Sequence, residues 1–304
     1  MIDITRKNYS LRAAIAQAEV KVSLPETIQS VMEKRVPKGD VFEASRIAGL
    51  FAAKRTSDMI PDCHPLPVEF AEIRMRTEGL TIYIEAEIHS IYKTGVEVEA
   101  MHAASVAALT VYDMLKPIDP VIVIEKIALA EKTGGKSQFA QTAVREEFHA
   151  AVIVCSDTIS SGEKEDRSGK AIVKNLQRHD VVVDEYIIIP DEAEMIRERV
   201  LNYSGKNLNI VIITGGTGLS PRDVTPEALF PIIERRIPGI EETIRAYGQN
   251  RTPYSMLSRS VAGLVGNTLV LALPGSTRGA EESMDAVFPP VLHLFKMMRG
   301  GNHH

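Results

Sequence analysis

The sequence predicts two domains of different fold class, an α+β domain followed by an α/β domain. The chain has 304 residues, about twice the length of a typical domain. Residues 1–137 combine long alternating segments with separate helical segments, which is typical of an antiparallel sheet covered by helices on one face. From Ala150 onward, short apolar runs alternate with helical segments, which indicates a parallel sheet between two helical layers. We predict domains at 1–140 and 141–304, with a weakly patterned linker at 138–148.

The elements of the first domain follow from capping signals and apolar periodicity. SLPE has the spacing of a capping box with proline in the first turn, and predicts a helix to about residue 35. GDVFE repeats the signal with Asp40 as cap of a second helix. LTIYIEAEIHSIY alternates strictly and predicts a strand, joined to EFAEIRMR by a turn at Glu78-Gly79. A buried helix at 96–115 and a strand from Ile122 complete a ferredoxin-like arrangement.

The second domain reads as strand followed by helix several times over. The predicted strands are AAVIVCSD, EYIIIPD, IVIITGG and TLVLALPGS. The helices are SGKAIVKNLQRH, EAEMIRERVLNY, TPEALFPIIERR and a long segment from about Thr277 to Met298. This order predicts a three-layer, Rossmann-like fold. Neither GxGxxG nor GxxxxGK[ST] is present, so a dinucleotide fingerprint and a P-loop are not indicated.

Composition narrows the class of protein. A net charge of −5 argues weakly against a nucleic-acid binder. The longest apolar runs have strand length, and the N-terminal segment lacks the apolar core of a signal peptide, so neither a membrane span nor export is expected. Cys63 and Cys155 lie too far apart for CxxC chemistry, which makes disulfides and cysteine zinc sites unexpected. We therefore expect a cytoplasmic enzyme or binding protein, and assign no function to His303-His304.

The chemistry of the second domain should lie where its strands end. The strand ends carry Asp157, Asp191, TGGTG (Thr214–Gly218) and PGS (Pro274–Ser276). In a parallel sheet these ends meet at one edge, where glycines let backbone amides approach a phosphate. The start of a helix at Thr225 would add a favourable dipole for an anion.

Asp223 would repel a phosphate unless a cation stood between them, so it is a candidate Mg²⁺ ligand. Simpler interpretations remain open at this point. TGGTG can be only a tight turn, and Asp157 and Asp191 can be helix caps.

The first domain offers several ionisable groups. Lys38 stands at a helix start, His64 in a proline-rich loop, and Glu97 and Glu99 at a strand-to-helix turn. Asp113 and Lys116 share a helix face, and Lys132 and Lys136 flank two glycines. The four lysines, with His64, would suit a phosphate-rich substrate and proton transfers. Alternatively, the Asp113–Lys116 pair is a surface ion pair and His64 is structural. A buried Asp113–Lys116 pair would shift the pKa of the lysine.

The second domain resembles the molybdopterin adenylyltransferase family over residues 148–298. The resemblance rests on SDTISSGEKEDRSG, IIIPDEAEMI, ITGGTGLSPRDVTPEAL, IPGIEETIR and SRSVAGLVGNTLVLALPGS. It implies Mg²⁺-dependent transfer of AMP from ATP to the terminal phosphate of molybdopterin, with Asp191 and Asp223 as catalytic aspartates and Asp223 on the metal. The implied substrate-binding residues are Thr214, Gly215, Gly216, Thr217, Gly218, Ser220, Pro274, Gly275 and Ser276.

The first domain resembles the cyclic pyranopterin monophosphate synthase family. The resemblance rests on VPKGDVFEASRIAGLFAAKRTSDMIPDCHPLP, KTGVEVEAMHAASVAALTVYDMLK and EKTGGKS. It implies a lyase that converts 3′,8-cyclo-7,8-dihydro-GTP to cyclic pyranopterin monophosphate and pyrophosphate, with no cofactor beyond a divalent metal at most. Asp113, Lys116 and Lys38 would handle protons. The implied substrate-binding residues are Arg12, Cys63, His64, Pro65, Glu97, Val98, Glu99, Lys132 and Lys136.

Together the two resemblances predict a bifunctional enzyme of molybdenum cofactor synthesis. Its partners would be small pterin and nucleotide substrates, without nucleic acid or membrane. Both families form trimers or hexamers, so we expect a homo-oligomer in which a neighbouring chain completes the first site. The alternative is that only the first domain catalyses and the second only binds molybdopterin or assembles the oligomer. Asp62 departs from the family pattern, and an extra acid there could weaken triphosphate binding.

Overall fold

The computed structural model describes residues 1–135 and 147–300. The chain divides into two compact units, Met1–Ala143 and Val144–His304. Most of the predicted linker, and Lys136 with it, lies outside the described residues.

The first unit is a four-stranded antiparallel sheet with helices packed on one face. Its strands β1 (Ser10–Lys21), β2 (Phe70–Glu78), β3 (Thr81–Tyr92) and β4 (Val123–Thr133) lie in the order β2-β3-β1-β4. The helices are α1 (Pro25–Met32), α2 (Val41–Lys54), α3 (Thr56–Met59) and α4 (Glu97–Leu115). The predicted antiparallel sheet with covering helices is confirmed, and the ferredoxin-like detail stays a prediction.

Small residues let the long helix α4 lie close to this sheet. Alternate residues of β1 and β3 are fully buried, among them Ala16, Ala18 and Ile84. They belong to the same core as Ala104 and Ala108 of α4. Alanine on both surfaces shortens the distance between helix and sheet. Close packing therefore holds α4 rigidly against the strands.

The start of α1 is capped by a residue that the sequence prediction missed. The predicted capping box is wrong, because Leu24 is the N-cap and its side chain caps nothing. Instead the buried carboxylate of Asp119 accepts hydrogen bonds from the amides of Ser23 and Leu24 and from the hydroxyl of Thr27. Asp40, by contrast, caps α2 as predicted, by accepting from the Glu43 amide at 3.1 Å.

The second unit contains a six-stranded mixed sheet. Its strands are β5 (Phe148–Cys155), β6 (Val181–Ile189), β7 (Ile210–Thr214), β8 (Arg235–Arg236), β9 (Val261–Val265) and β10 (Thr268–Leu273), in the order β6-β5-β7-β10-β9-β8. The four predicted strands are parallel, as expected. The wholly parallel prediction is wrong at the other edge, because the two residues Gly266 and Asn267 join β9 to β10 as an antiparallel hairpin.

Helices cover both faces of this sheet. They are α5 (Asp157–Ser160), α6 (Ser168–Gln177), α7 (Ala193–Gly205), α8 (Thr225–Leu229), α9 (Pro238–Gln249), α10 (Thr277–Val287) and α11 (His293–Met298). Neighbouring residues of β7 enter different cores: Ile212 packs in the core that includes α10, and Ile213 in the core that includes α7. The three-layer arrangement is therefore confirmed. Within the described ranges, no helix is long and apolar enough to cross a membrane.

Two predicted helices are shorter than expected, for the same reason. The segment TPEALFPIIERR is helical only to Leu229, just before Pro231. The segment from Thr277 to Met298 breaks between Val287 and His293, where Pro289 and Pro290 stand. Proline lacks the amide that a helix interior needs, and it disfavours helical geometry in the residue before it.

We predict that Asp119→Ala destabilises the first unit by on the order of 3 kcal/mol at neutral pH, because it leaves several donors unpaired. Burial opposes ionisation, but the hydrogen bonds from Ser23 and Val121 outweigh it and lower the pKa of Asp119. The stabilisation is therefore present above the ordinary aspartate pKa and is lost as the pH falls through the lowered value.

The measurement is hydrogen exchange of the β1 and α1 peptides in the full chain, at pH 7 and at pH 3. Asp58→Ala, which changes an exposed aspartate, is the control. Equal protection in the two variants at pH 7 would contradict a stabilising role for the hydrogen bonds of Asp119.

Candidate active sites

Two aspartates at the ends of neighbouring strands bind each other in the second unit. Asp157 follows β5 and Asp191 follows β6. The amide of Asp157 donates to Asp191 Oδ2 at 3.2 Å, and the amide of Asp191 donates to Asp157 Oδ1 at 3.1 Å. Neither carboxylate caps a helix, since Ser156 is the N-cap of α5 and Glu192 that of α7. The helix-cap alternative is therefore wrong for both aspartates.

The glycine loop that follows β7 packs against these aspartates without room for side chains. Gly215 has φ +105°, and a Cβ placed there would lie 2.0 Å from the carbonyl oxygen of Cys155. Gly216 has φ +61°, and a Cβ there would lie 3.0 Å from Asp191 Oδ1. Side chains larger than hydrogen are thus excluded by backbone conformation and by space, which is more than a simple turn requires.

The loop after β10 completes the edge. The hydroxyl of Thr214 donates to the carbonyl of Pro274 at 2.8 Å, and the backbone of Gly275 lies against that of Gly215. Ser276 caps α10 by accepting from the Gly279 amide at 3.1 Å. The structure therefore brings the TGGTG and PGS loops together with Asp191, as the sequence predicted.

One carboxylate oxygen at this edge has no partner. Asp191 Oδ1 is buried, and the structure gives it no hydrogen bond. Burial raises the pKa of Asp191, the Asp157 amide opposes the rise, and the charges of Asp157 and Asp223 add to it. A buried carboxylate oxygen without a hydrogen bond is energetically costly, and binding a proton or a cation would remove that cost.

Asp223 lies on a turn against the glycine loop. Its Oδ2 accepts from the Ser220 amide at 2.8 Å, and a Cβ on Gly218 would also lie 2.8 Å from Oδ2. The predicted role of the helix at Thr225 is not supported, because α8 has only five residues and the Thr225 amide donates to the carbonyl of Gly216.

The donor set fits a magnesium ion that arrives with a nucleotide. In the part of the chain that the structure describes, no three His, Cys, Asp or Glu side chains could hold a metal by themselves. Mg²⁺ bound with phosphates needs only one or two carboxylates, and the unpartnered oxygen of Asp191 beside Asp223 offers such ligands. The metal-binding role of Asp223 remains a prediction.

Two arginines at this edge were not singled out from the sequence. Arg222 donates from Nε and Nη2 to Asp157 Oδ2, at 2.9 and 2.6 Å, and lowers the pKa of that carboxyl group. Arg259 donates to the carbonyls of Gly218 and Asp223. Their positions in PRDV and SRS are unremarkable as patterns, so only the fold reveals these contacts.

In the first unit, Asp113 joins two lysines. Lys38 Nζ lies 2.7 Å from Asp113 Oδ2, and Lys116 Nζ lies 2.7 Å from Asp113 Oδ1. Hydrogen bonds from Lys116 and Lys38 lower the pKa of Asp113 to about 2. The hypothesis of a buried pair is wrong: Asp113 and Lys116 are 51% and 53% exposed, and the bond to Asp113 raises the pKa of Lys116.

A second cluster surrounds the start of α4. Lys132 Nζ donates to Glu97 Oε1 at 2.9 Å, and the guanidinium of Arg12 lies over Gly135. Burial opposes ionisation of Glu97, but the Lys132 bond prevails and the pKa of Glu97 is lowered. Burial lowers the pKa of Arg12, and the charge of Glu97 opposes this.

The buried Glu99 pairs with the half-buried Cys63 beside this cluster. Cys63 Sγ donates to Glu99 Oε1 at 3.1 Å, while the buried Glu99 Oε2 has no partner. Burial raises the pKa of Glu99, and burial followed by the bond to Glu99 raises the pKa of Cys63 to about 12. Cys63 therefore stays a thiol, and Glu99 retains an unsatisfied oxygen for a ligand.

The proline-rich loop lies next to the first residues of the chain. His64 Nε2 lies 2.8 Å from the carbonyl of Ile2, and the amino group of Met1 lies 2.9 Å from Asp62 Oδ1. The extra acid at Asp62 is thus neutralised in this structure. Pro65, in this loop, and Val98, in the first turn of α4, are both exposed.

The residues predicted for the first site do not all converge within one chain. Glu97 begins α4, and Asp113 lies sixteen residues later on the same helix. At 1.5 Å per residue the two ends are about 24 Å apart. The Lys38–Asp113–Lys116 group and the Arg12–Glu97–Lys132 group therefore lie at opposite ends of one rigid helix.

The fold and these sites define a protein that joins an α+β unit with clustered lysines and carboxylates to an α/β unit with a glycine-lined, acid-flanked strand edge. The profile of the MoaC family matches residues 1–135, and that described as "Probable molybdopterin binding domain" matches residues 151–293. A molybdenum cofactor biosynthesis bifunctional protein of Chlorobaculum tepidum is 41% identical over 305 residues, with 100% of this chain and 96% of that protein covered. The chain belongs to this family of bifunctional molybdenum cofactor biosynthesis proteins, in which a MoaC domain is fused to a molybdopterin-binding-type domain.

Further relatives match the whole chain or one half of it. The protein of the same name from Synechococcus elongatus is 36% identical, with 100% of this chain and 98% of that protein covered. A cyclic pyranopterin monophosphate synthase of Thermomicrobium roseum is 48% identical over 139 residues, which are 45% of this chain and 83% of that protein. A solved structure of the molybdopterin biosynthesis enzyme MoaB from Thermus thermophilus is 39% identical, with a TM-score of 0.48, and covers 50% of this chain and 97% of that one.

We predict that Gly215→Ala lowers the free energy of unfolding by about 3–4 kcal/mol, because the methyl group would meet the Cys155 carbonyl in a left-handed backbone. Gly162→Ala is the matched control, since Gly162 also has a positive φ (+81°) but has open space around its Cβ position. It should cost about 1 kcal/mol. Calorimetric melting of the full chain distinguishes the two, and equal shifts of the melting temperature would contradict the close packing.

Proposed function

We propose that the chain catalyses two reactions of molybdenum cofactor synthesis. The first unit would convert 3′,8-cyclo-7,8-dihydro-GTP to cyclic pyranopterin monophosphate and pyrophosphate. The second would transfer AMP from Mg-ATP to molybdopterin. The observation that carries the second assignment is the strand edge at which the glycine loop meets the unpartnered oxygen of Asp191.

In the second unit, the chain's own groups suit a phosphate acceptor. The Gly215 amide donates to the carbonyl of Leu273, and the amides at 216–218 would bind the terminal phosphate of molybdopterin. Asp191 and Asp223 would hold the Mg²⁺ that accompanies ATP and so orient the nucleotide. The metal would supply neutralisation of the charge that develops on the transferred phosphoryl group. Arg222, whose side chain is bonded to Asp157, would bind a further phosphate oxygen at this edge of the sheet.

We predict that Asp223→Asn lowers adenylylation by about 100-fold or more while the fold is kept. The amide can still accept the bond from the Ser220 amide, but it lacks the negative charge that a metal requires. The measurement is formation of the AMP adduct from purified chain, molybdopterin and Mg-ATP. Asp184→Asn, on strand β6, is the control for loss of a carboxylate. Full activity in Asp223→Asn would remove Asp223 from the reaction.

In the first unit, the Lys38–Asp113–Lys116 group suits proton transfer beside an anionic substrate. The pKa of Asp113 of about 2 keeps that residue ionised at neutral pH, so it can accept a proton or position Lys116 but does not begin as an acid. Lys116 would be the proton donor, although its bond to Asp113 raises its pKa and makes it a weaker acid until the substrate displaces that bond. Arg12, His64 and Lys132 would hold the triphosphate, and Glu99 would accept a hydrogen bond from the base.

A complete first site needs a second copy of the chain. The two halves of the predicted site lie about 24 Å apart along α4, so the groups at its two ends do not form one compact cluster within a chain. We propose that the Asp113 end of one subunit meets the Glu97 end of another. This agrees with the trimers or hexamers that the resemblance implies.

We predict that Lys116→Ala lowers pyrophosphate release from the cyclic GTP derivative by at least about 100-fold. The Lys38 bond to Asp113 remains, so Asp113 stays ionised but loses its neighbouring proton donor. Lys126→Ala, which removes an exposed lysine of β4, is the control. Wild-type pyrophosphate release in Lys116→Ala would exclude this lysine from catalysis. Adenylylation should be unchanged in both variants.

A second candidate function for the second unit is binding without transfer. It is favoured if the chain binds molybdopterin but forms no AMP adduct. In that case the glycine loop would hold the pterin phosphate only, and the charge of Asp223 would not affect product formation.

A further inference from the structure

Arg259 ties together three segments of the second site. It precedes β9, and its guanidinium reaches the loops that follow β7. Nε donates to the carbonyl of Gly218 at 2.8 Å, Nη2 donates to the carbonyl of Asp223 at 2.6 Å, and Nη1 pairs with the carboxylate of Glu227. The guanidinium thus joins three segments: the glycine loop, helix α8 and the turn at Ser220–Asp223, here called the acid turn.

The backbone of Arg259 adds a fourth contact to the same loop. Its amide donates to the carbonyl of Thr217 at 3.0 Å. Two residues later the chain enters β9, which is buried throughout and pairs with both β10 and β8. Arg259 therefore connects the glycine loop and the acid turn to β9, a fully buried strand of the sheet.

The acid turn needs such a connection. Within it, the Ser220 amide bonds to Asp223 Oδ2 and the Asp223 amide bonds to the Ser220 carbonyl. These bonds shape the turn but do not place it relative to the sheet, and Leu219 at its tip is 69% exposed. Arg222 in the turn bonds to Asp157, which follows β5, through an exposed side chain. The bond from Arg259 to the Asp223 carbonyl fixes the backbone of the turn beside β9.

Only arginine can make this set of contacts. Its guanidinium presents five donors in a rigid fork, which can reach three acceptors in fixed directions. A lysine ammonium at the end of a flexible stem could satisfy one or two of them without fixing their relative positions.

We propose that Arg259 is a positioning residue of the second site, which fixes the Asp223 carboxylate relative to the glycine loop without touching the substrate. This inference rests on the proposed function of the second unit. A displacement of about 1 Å at a reacting group can lower a rate by about 100-fold. Loss of the fork should therefore affect turnover more than a comparable loss of stability elsewhere.

The test compares four variants of the full chain. Arg259→Ala removes all three contacts, and Arg259→Lys keeps the charge but not the fork. Glu227→Gln weakens only the ion pair and leaves both carbonyl bonds. Arg236→Ala removes an arginine of the edge strand β8 that pairs with the buried Glu241 and, within the described residues, makes no hydrogen bond to the glycine loop or the acid turn, and so controls for general destabilisation.

Two readouts are measured below the melting temperature of each variant. One is hydrogen exchange of the amides at 216–224, and the other is kcat and KM for AMP transfer to molybdopterin. In Arg259→Ala we expect exchange about 10-fold faster and kcat about 10–100-fold lower, with smaller effects in Arg259→Lys. Glu227→Gln and Arg236→Ala should stay within about 3-fold of wild type in both readouts.

Three results would overturn the inference. One is unchanged exchange at 216–224 in Arg259→Ala. Another is a fall in kcat that Arg236→Ala reproduces at the same loss of melting temperature. If Arg259→Ala does not fold, wild-type exchange and kcat in Arg259→Lys would refute the need for the fork. If the wild-type chain forms no AMP adduct, the proposed function fails, but exchange and molybdopterin affinity in the same variants still decide the role of Arg259.

Discussion

The second unit depends on the junction at which the ends of β5 and β6 are bonded to each other through Asp157 and Asp191. Each aspartate uses its carboxylate to satisfy the other's backbone amide. This exchange consumes one oxygen of Asp191 and leaves the other buried and unpartnered beside Gly216. The glycine loop can approach only because Gly215 and Gly216 carry no side chains. The unpartnered oxygen of Asp191 and its closeness to the glycine loop therefore follow from the same packing.

The two units handle carboxylates in opposite ways. In the first, Asp113 is exposed between two ammonium groups, and its pKa falls to about 2. In the second, Asp191 is half-buried near two other carboxylates, and its pKa rises. An aspartate that is always ionised suits the positioning of a protonated lysine, whereas an aspartate that lacks a partner suits the binding of a cation. These environments support different chemistry in the two units, as expected for a bifunctional protein.

Much of the architecture could be predicted from the sequence, because apolar periodicity and capping residues act locally. The parallel strands and the convergence of Asp157, Asp191, TGGTG and PGS followed from the rule that such strand ends share an edge. Strand β1 was not predicted, since its alanines have low strand propensity and only packing against α4 selects them. The cap from Asp119 was also missed, because the carboxylate lies more than ninety residues from its partners in sequence. The contacts of Arg222 and Arg259 were unpredictable for the same reason: they depend on which loops the sheet brings together.

In the first unit, rigid packing also keeps the Asp113 group and the Glu97 group of predicted site residues apart. Helix α4 is nineteen residues long and its small residues fix it to the sheet, so its two ends cannot approach each other. The sequence predicted a helix at 96–115 with Glu97 and Glu99 at its start and Asp113 near its end, and the observed helix holds these two groups apart.

The most direct measurement is a crystal structure of the full chain with molybdopterin bound. The account predicts that the terminal phosphate lies against the amides of 216–218, within reach of the Asp191 and Asp223 side chains. A phosphate bound elsewhere on the second unit, with the glycine loop in contact only with solvent, would contradict it.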